Sequence, residues 1–470
     1  MNRILDKNIR VALTLISAAA AAGAAASALR LGLFARADAT GRALELAAVA
    51  LAVSIAAWHR TLASALRRGA RAPGRAIERD AVYPSITVVR PVRGRDVGAA
   101  ANFAAALDTG YPGAVETLFV FDDENDPGLP IARAAVEAHR AAGRPGSAQV
   151  LVAGAPPPGR TGKLNAMILG EQQARGELIA FGDSDTRPDR NVLRGTVDAL
   201  LSSPGSGSAF APIVVHRPPQ ALGDVFYALM QNALYAPLAN QAAGEARALP
   251  FIMGQLMVFR REALLAIGGV ACAEGQLVDD MHIGTRLHRA GYLNILGTAP
   301  LHIHTGGLSL RQFLPIYRRW MMFSRNGLPT SFVWRQWVQG VEFFLALAGA
   351  AASIATAHGA AALLFALALG MQGLSLLSLQ QGAGGAVIPA RWSWAPFAIF
   401  LLSPFVLLQN QWSRKVDWRG REYRVSGLAA LAPARGAAGA TPPRLAPAAR
   451  SHRATAAART RIASGDSAHR

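Results

Sequence analysis

Hydrophobic positions fall into two regimes along the chain. Near the ends they form long unbroken runs. Val11–Leu29 carries no charge over 19 residues between Arg10 and Arg30, enough to cross a bilayer. Its alanine-rich end also admits a signal-peptide reading. Leu46–Trp58 is apolar but shorter, and spans if it begins near Ala43 with Glu45 at its edge. Apolar runs return at Phe343–Ala357, Ala360–Leu379 and Trp394–Leu408. His358-Gly359 is either a tight turn between two of them or the middle of one broken element. Over residues 84–330 the pattern changes. Short β-rich runs ("SITVVRPV", "VETLFVF", "AQVLVA", "ELIAFGD", "AFAPIVV", "IMGQLMVF") alternate with helical stretches such as "PIARAAVEAHRAAG" and "VLRGTVDALLSS". This βαβ rhythm predicts an α/β domain with a mainly parallel central sheet. Its polar residues cluster just after strand ends, where open α/β sheets bind ligands.

Composition sharpens this division. Hydrophobic residues make up 51% and charged residues 16%, against roughly 25% charged in soluble domains. The formal charge of +19 suits an anionic membrane surface. No nucleic-acid recognition pattern accompanies it, so nucleic acid is not expected as a partner. Arg60, Arg67, Arg68, Arg71 and Arg75 follow the second apolar run and place the following domain in the cytoplasm by the positive-inside rule. The single cysteine, Cys272, excludes an intrachain disulfide and a cysteine-based zinc site. The expected organisation is an N-terminal transmembrane region (1–60, one or two spans) and a catalytic domain (61–330). An interfacial and transmembrane region (331–425) and a disordered basic tail (426–470) follow. From Leu431 onward that tail carries seven arginines and one acid, Asp466.

Three acidic clusters carry the candidate chemistry. "GDSDTRPD" ends a strand on Asp183 and Asp185, a seat for a hard divalent cation that would neutralise a diphosphate. An Asx turn is the plainer alternative for the same tripeptide. "FVFDDENDPG" crowds Asp122, Asp123, Glu124 and Asp126, with "NDPG" itself a turn signal. "VDDMHIGTRLHRAG" places Asp279 and Asp280 before a helix. One of the pair can cap that helix, leaving the other as a general base. Lys163, in "GRTGKLNAM", precedes a helix whose N-terminal amides favour phosphate. It lacks the glycine spacing of a P-loop. His302 and His304 alternate in "APLHIHTGG" and read as rim residues or as metal ligands.

Taken in order, "VVRPVRGRD", "DTGYPG", "FVFDDENDPG", "GRTGKLNAM", "FGDSDTRPD", "VVHRPP", "IMGQLMVFRREAL", "VDDMHIGTRLHRAG" and "YRRW" resemble family 2 type glycosyltransferases of the GT-A fold. The resemblance runs from about Pro84 to Trp320 and is closest to the ceramide glucosyltransferase and bacterial hopanoid glycosyltransferase group. "WSRKVDWRGREYRV" resembles the juxtamembrane Trp-Arg-Gly-Arg-x-Tyr segment of related lipid glycosyltransferases. The resemblance implies a GT-A nucleotide-diphospho-sugar transferase domain flanked by N- and C-terminal transmembrane helices, in a multi-pass protein of the bacterial inner membrane.

By residue, the resemblance implies that Asp123 lies near the uracil or ribose, and that Asp183 and Asp185 hold Mg2+ or Mn2+, with Asp185 in direct contact. Lys163, Arg319 and Trp320 would face the UDP-sugar. Asp280 would be the catalytic base. His216, Asp279 and Arg318 fall on the acceptor side. The position before "YRRW" departs from the family's Gln/Arg-x-x-Arg-Trp motif, since Ile316 stands where Gln or Arg is expected. The implied activity is inverting transfer of a sugar from a UDP-sugar to a membrane lipid alcohol, ceramide or another sphingolipid foremost, giving a β-glycoside. A hopanoid glycosyltransferase, a processive polysaccharide synthase and a non-enzymatic scaffold are the alternatives. No obligate protein partner is implied.

Overall fold

The computed structural model describes residues 38–71, 82–245, 249–328, 334–412, 415–426 and 430–431. The expected first span Val11–Leu29 and the basic tail beyond 431 lie outside these residues.

The chain enters through a long helix, α1 (Ala39–Arg71), well beyond the short apolar run expected there. Glu45 sits within it and is buried. The catalytic-type domain then builds strands β1 (Ile86–Val92), β2 (Val115–Phe121), β3 (Ser147–Val152), β4 (Leu178–Gly182), β5 (Thr186–Arg187), β6 (Ser206–Phe210), β7 (Ile213–Val215), β8 (Leu256–Arg260), β9 (Leu293–Leu296) and β10 (Leu301–Ile303). Between them lie α2 (Ala99–Leu107), α3 (Leu129–Ala141), α4 (Gly162–Gln173), α5 (Val192–Leu201), α6 (Leu222–Ala228), α7 (Ala236–Glu245), α8 (Arg261–Ala266) and α9 (Asp279–Arg289). A π-helix, Leu229–Tyr235, joins α6 to α7.

The main sheet has strand order β3-β2-β1-β4-β8-β6-β9. β1 pairs parallel with β2 and β4, and β2 with β3. β8 runs antiparallel to both β4 and β6. The sheet is therefore mixed and not purely parallel: four of its six pairings are parallel, as the expected mainly parallel sheet requires, and one strand in its middle is reversed. The run "IMGQLMVF" specifies a buried strand, but an apolar run carries no direction. The helical insertion α6–π–α7 before it breaks the βα rhythm and brings the chain back reversed. "AFAPIVV" also divides. Pro212 lacks the amide a continuous ladder needs, and the chain leaves the main sheet there. β7 joins a small second sheet, β5-β10-β7.

The sheet is packed on both faces. Val89, Phe181, Phe259 and Met257 are fully buried in one cluster with Leu164 and Met167 of α4, while Ile86, Ala180 and Val258 face Leu193 and Val197 of α5. Such burial on both sides makes the central strands near-continuous apolar runs.

An amphipathic helix with an interior proline, α10 (Leu310–Gly327), leads to three apolar helices, α11 (Arg335–Ala355), α12 (Gly359–Gly382) and α13 (Ala395–Trp412). Ala357-His358 is a turn: the His358 amide donates to the Ser353 carbonyl at 2.8 Å and closes α11 before α12 begins. Among the described residues four helical segments are long and apolar enough to cross a membrane: Ala39–Gly69, Trp337–Ala355, Gly359–Gly382 and Ala390–Asn410. Ala48, Leu51 and Ile55 of α1 pack against Ala346, Phe365 and Ala368. The chain then returns as a hairpin, β11 (Lys415–Trp418) and β12 (Arg421–Ser426), whose last residues pair with β13 (Ala430–Leu431).

Candidate active site

The carboxyl ends of β1, β2 and β4 and the start of β8 open on one cleft. Its lining includes Asp122, Lys163, Asp183, Asp185, Asp279, Asp280, Arg319 and Trp320, together with Arg93, Tyr227, Gln255, Trp418, Arg419, Arg421 and Tyr423. Each side chain is delivered by local geometry. Strand β4 ends at Gly182, and the Asp183 amide donates to the Gln255 carbonyl at 3.0 Å, tying the turn to the start of β8. From beneath, the buried Arg90 side chain donates to the carbonyls of Asp183 and Thr186, the latter at 3.0 Å. A residue five positions into β1 thus holds the Asp183-Ser184-Asp185 loop. Burial pulls the Arg90 guanidinium down to about 10 against the opposing pull of Asp183, Asp185 and Asp96.

Lys163 stands at the first turn of α4, where Thr161 caps the helix by accepting from the Leu164 amide at 3.1 Å. Its Nζ lies 2.7 Å from Asp183 Oδ1 and also reaches the Gly254 carbonyl at 3.4 Å. Burial opposes its charge, but Asp183, Asp279 and Asp280 outweigh that and hold the ammonium protonated above the usual lysine range. Lys163 therefore bridges the Asp183 side of the cleft to the Asp279-Asp280 side.

The start of α9 supplies the other wall. Asp279 is 2% exposed. Its Oδ1 accepts from the Asp280 amide at 2.8 Å, while its Oδ2 is buried with no hydrogen-bond partner. Asp280 Oδ1 accepts from the Met281 amide at 2.8 Å, and Oδ2 faces Gly254 across the cleft. A methyl group at Gly254 would sit 2.7 Å from Asp280 Oδ2, so any side chain there would displace this carboxylate. Burial, then the neighbouring Asp279, pushes Asp280 up to about 7. A carboxyl poised there suits proton abstraction near neutral pH.

Asp185 is also pushed up, to about 6, by burial first; Arg419 opposes this and Asp183 adds to it. Its carboxylate is nevertheless 46% open to the cleft, which leaves room for a ligand. Two carboxylates with open oxygens on one loop suit a hard divalent cation, since Mg2+ commonly takes one or two carboxylates and completes its shell with substrate phosphates and water. Among the described residues no group of three His, Cys, Asp or Glu side chains is placed to hold a metal unaided.

Other residues singled out from sequence are placed as follows. In the "DDEND" cluster it is Asp122, 6% exposed, that lines the cleft. Asp123 is exposed, outside the lining, and its carboxylate accepts from the Asn125 amide at 2.9 Å in an Asx turn. Asp126 closes the "NDPG" turn by accepting from Gly128 at 2.8 Å. Arg319 lines the cleft with its guanidinium 5.7 Å from the Trp418 ring centroid, and burial lowers its pKa. Trp320 packs on Tyr235 of the π-helix at 5.2 Å. Arg318 points elsewhere: it donates to Asn410 at 3.0 Å and to the Lys415 carbonyl, tying α10 to α13 and β11. Ile316 packs against the main core.

His216 stacks on His302 at 4.8 Å and contacts the Gly384 carbonyl at 3.3 Å, while His302 meets Asp189 at 3.3 Å. Ile303, between His302 and His304, lines the cleft and neither histidine does. Burial, with Arg187 and Arg217 adding to it, holds His304 neutral, at about 4. Burial raises the Cys272 thiol to about 11, which removes it as a nucleophile.

Sequence reasoning missed the hairpin. Arg421 donates to Asp122 at 2.8 Å, joined there by Arg93 at 3.0 Å, and Arg419 donates to Asp96 at 2.8 Å. The string "WRGREYR" was visible, but nothing local connects it to carboxylates some three hundred positions earlier.

The chain is 20% identical to Ceramide glucosyltransferase 3 of Caenorhabditis elegans over 54% of its own length and 53% of that protein's. It is 21% identical to Ceramide glucosyltransferase 1 of the same organism, covering 52% and 51%. The chain thus spans about half the length of the curated relatives it matches. Among solved structures, a mannosyltransferase from Pyrobaculum calidifontis, in complex with GDP-Man and Mn2+, is 21% identical with a TM-score of 0.51, covering 78% of this chain and 99% of that one. Glucosyl-3-phosphoglycerate synthase from Mycobacterium tuberculosis, with Mn2+, UDP and glucosyl-3-phosphoglycerate, matches at 20% identity and a TM-score of 0.33, covering 53% and 82%. The fold is of the GT-A glycosyltransferase type. The family description Glycosyl transferase family 21 matches residues 44–429, and the chain belongs to that family.

Proposed function

We propose that the protein transfers a sugar from a UDP-sugar to the hydroxyl of a membrane lipid, ceramide or a related sphingolipid, with inversion at the anomeric carbon. The observation that carries this reading is the pairing of two carboxylate sets across one cleft. Asp183 and Asp185 form the electrophilic side, Asp280 the basic side, and Lys163 stands between them. The curated relatives are ceramide glucosyltransferases, and four of the helices among the described residues are long and apolar enough to cross a membrane, both of which support a lipid acceptor.

In this reading Lys163 and Arg319 bind the diphosphate, and Asp183 and Asp185 hold Mg2+ or Mn2+. A cation bound there supplies neutralisation of leaving-group charge. Asp280 takes the proton from the acceptor hydroxyl as that oxygen attacks. The bond from the anomeric carbon to the phosphate oxygen breaks, and its electron pair stays on the diphosphate. A single displacement from an α-linked donor yields a β-glycoside. NMR of the product formed from UDP-glucose and ceramide tests this. A β-anomer is expected; an α-anomer would exclude single displacement.

Two substitutions test the parts. Asp185→Ala should weaken UDP binding in the presence of Mn2+ while leaving metal-free binding little changed. Titration calorimetry with and without Mn2+ reads the difference, and an unaltered metal effect would take Asp185 out of the cation site. Gly254→Ala, which drives a methyl group against Asp280 Oδ2, should cost about ten- to a hundredfold in kcat with little change in UDP affinity. A normal kcat would show that the position of Asp280 is not critical.

A further inference from the structure

The hairpin turn Arg419-Gly420 carries φ values of +52° and +74°. Two central residues with positive φ define a type I′ turn, which favours Asn-Gly. Arginine in the left-handed region costs roughly 1 kcal/mol or more, so this side chain is kept at a position where its backbone is disfavoured. Its contacts supply the reason. Nη1 donates to Asp96 Oδ1 at 2.8 Å and to the Arg93 carbonyl at 2.8 Å, and Nη2 lies 3.4 Å from Asp185 Oδ2. Two residues later, Arg421 is paired with the buried Asp122. The amide of Gly162, at the start of α4, donates to Tyr423 Oη at 3.3 Å. The hairpin thus sits over the positive end of α4, with two guanidinium groups on the acids of the cleft.

By formal charge the acidic and basic side chains lining the cleft balance without a ligand. The acids Asp122, Asp183, Asp185, Asp279 and Asp280 are matched by Arg93, Lys163, Arg319, Arg419 and Arg421. A cation reaching Asp185 must compete with Arg419, and an entering diphosphate offers Arg419 and Arg421 a better partner than the carboxylates they hold. We propose that Arg419 and Arg421 are leaving-group residues: they hold Asp185, Asp96 and Asp122 in the empty enzyme, and exchange them for diphosphate oxygens when donor and cation enter. This inference rests on the nucleotide-sugar reading and adds the group that receives the departing charge. The guanidinium fork matches phosphate bidentately, and its charge is fixed, so the exchange needs no proton. As the anomeric C–O bond breaks, the diphosphate gains one negative charge, which falls between Lys163 and these two arginines. The hairpin stays anchored during the exchange, because Arg93 Nε donates to the Arg419 backbone carbonyl at 2.8 Å, independently of the Arg419 side chain.

The test uses the full chain in detergent, with UDP, GDP and Mn2+ as probes. Arg419→Ala should bind Mn2+ alone more tightly, since the competitor for Asp185 is gone. It should bind UDP in the presence of Mn2+ about tenfold more weakly, the loss expected for one charge-assisted contact. Arg421→Gln should weaken UDP similarly and leave Mn2+ alone unchanged, and Arg419→Lys should recover part of the UDP affinity. Melting temperatures near wild type confirm that the variants fold. UDP binding within twofold of wild type in both alanine and glutamine variants would overturn the proposal. So would parallel loss of Mn2+ and UDP binding with a lowered melting temperature, which marks a purely structural hairpin. A wild-type protein that binds neither UDP nor GDP would instead overturn the nucleotide-sugar reading, and this inference with it.

Discussion

Asp280→Asn is expected to lower lipid glycosylation by a factor of about 10²–10⁴, the usual contribution of a positioned general base, while UDP binding with Mn2+ stays near wild type. Asparagine keeps the size and the hydrogen bond from the Met281 amide but cannot take a proton. The same carboxyl sets the pH dependence. Burial and Asp279 raise Asp280 to about 7, and only the ionised form is a base. In wild type kcat/KM should therefore rise as pH increases through about 7, and this limb should vanish in the variant. Stability moves oppositely. An acid whose folded pKa lies above its unfolded value makes folding less favourable as pH rises between the two. Asn at position 280 removes that cost, so at pH 8 the variant should melt no lower than wild type, and at pH 4 the two should converge. A variant that melts early at pH 8 would point to lost structure in place of lost chemistry.

Arg90→Met should have the largest effect on folding. Arg90 is 3% exposed and satisfies two backbone carbonyls of the Asp183–Thr186 turn together with the Thr186 hydroxyl. Removing it leaves those acceptors unpaired in the interior and takes away one of the positive charges that offset Asp183, Asp185 and Asp96. Breaking a buried charged cluster from one side costs about 3–5 kcal/mol, or roughly 10 °C in melting temperature for a domain of this size. The loop that carries Asp183 and Asp185 would loosen as well, so UDP–Mn2+ affinity should fall even at temperatures where the variant remains folded. A wild-type melting temperature with intact nucleotide binding would show that another contact positions the loop.

The residues that line the candidate cleft were legible in the sequence wherever they are local. Asp183 and Asp185 follow a strand directly, and Lys163 and Asp280 stand in the first turns of helices. The apolar spans after residue 340 were legible for the same reason. What escaped is non-local. Arg90 reads as one polar residue inside a strand, and only the β1–β4 pairing puts it under the Asp183 turn. Arg419 and Arg421 meet Asp96, Asp185 and Asp122 only after the chain has made three helical passes. The choice between Asp122 and Asp123 depends on which way the chain turns at the end of β2, and two adjacent aspartates give no phase to decide it. The direction of β8 was equally hidden, because reversal is set by the path of α6, the π-helix and α7.

Product analysis tests the central claim most directly. The detergent-solubilised protein would be incubated with UDP- and GDP-linked sugars, Mn2+ and a membrane lipid extract, beside the Asp280→Asn variant, and the lipids analysed by mass spectrometry. The account predicts a lipid heavier by one hexose-type residue, dependent on a UDP-sugar and on Mn2+, and all but absent with the variant. An identical product yield from the variant, or release of free sugar with no glycolipid, would contradict it.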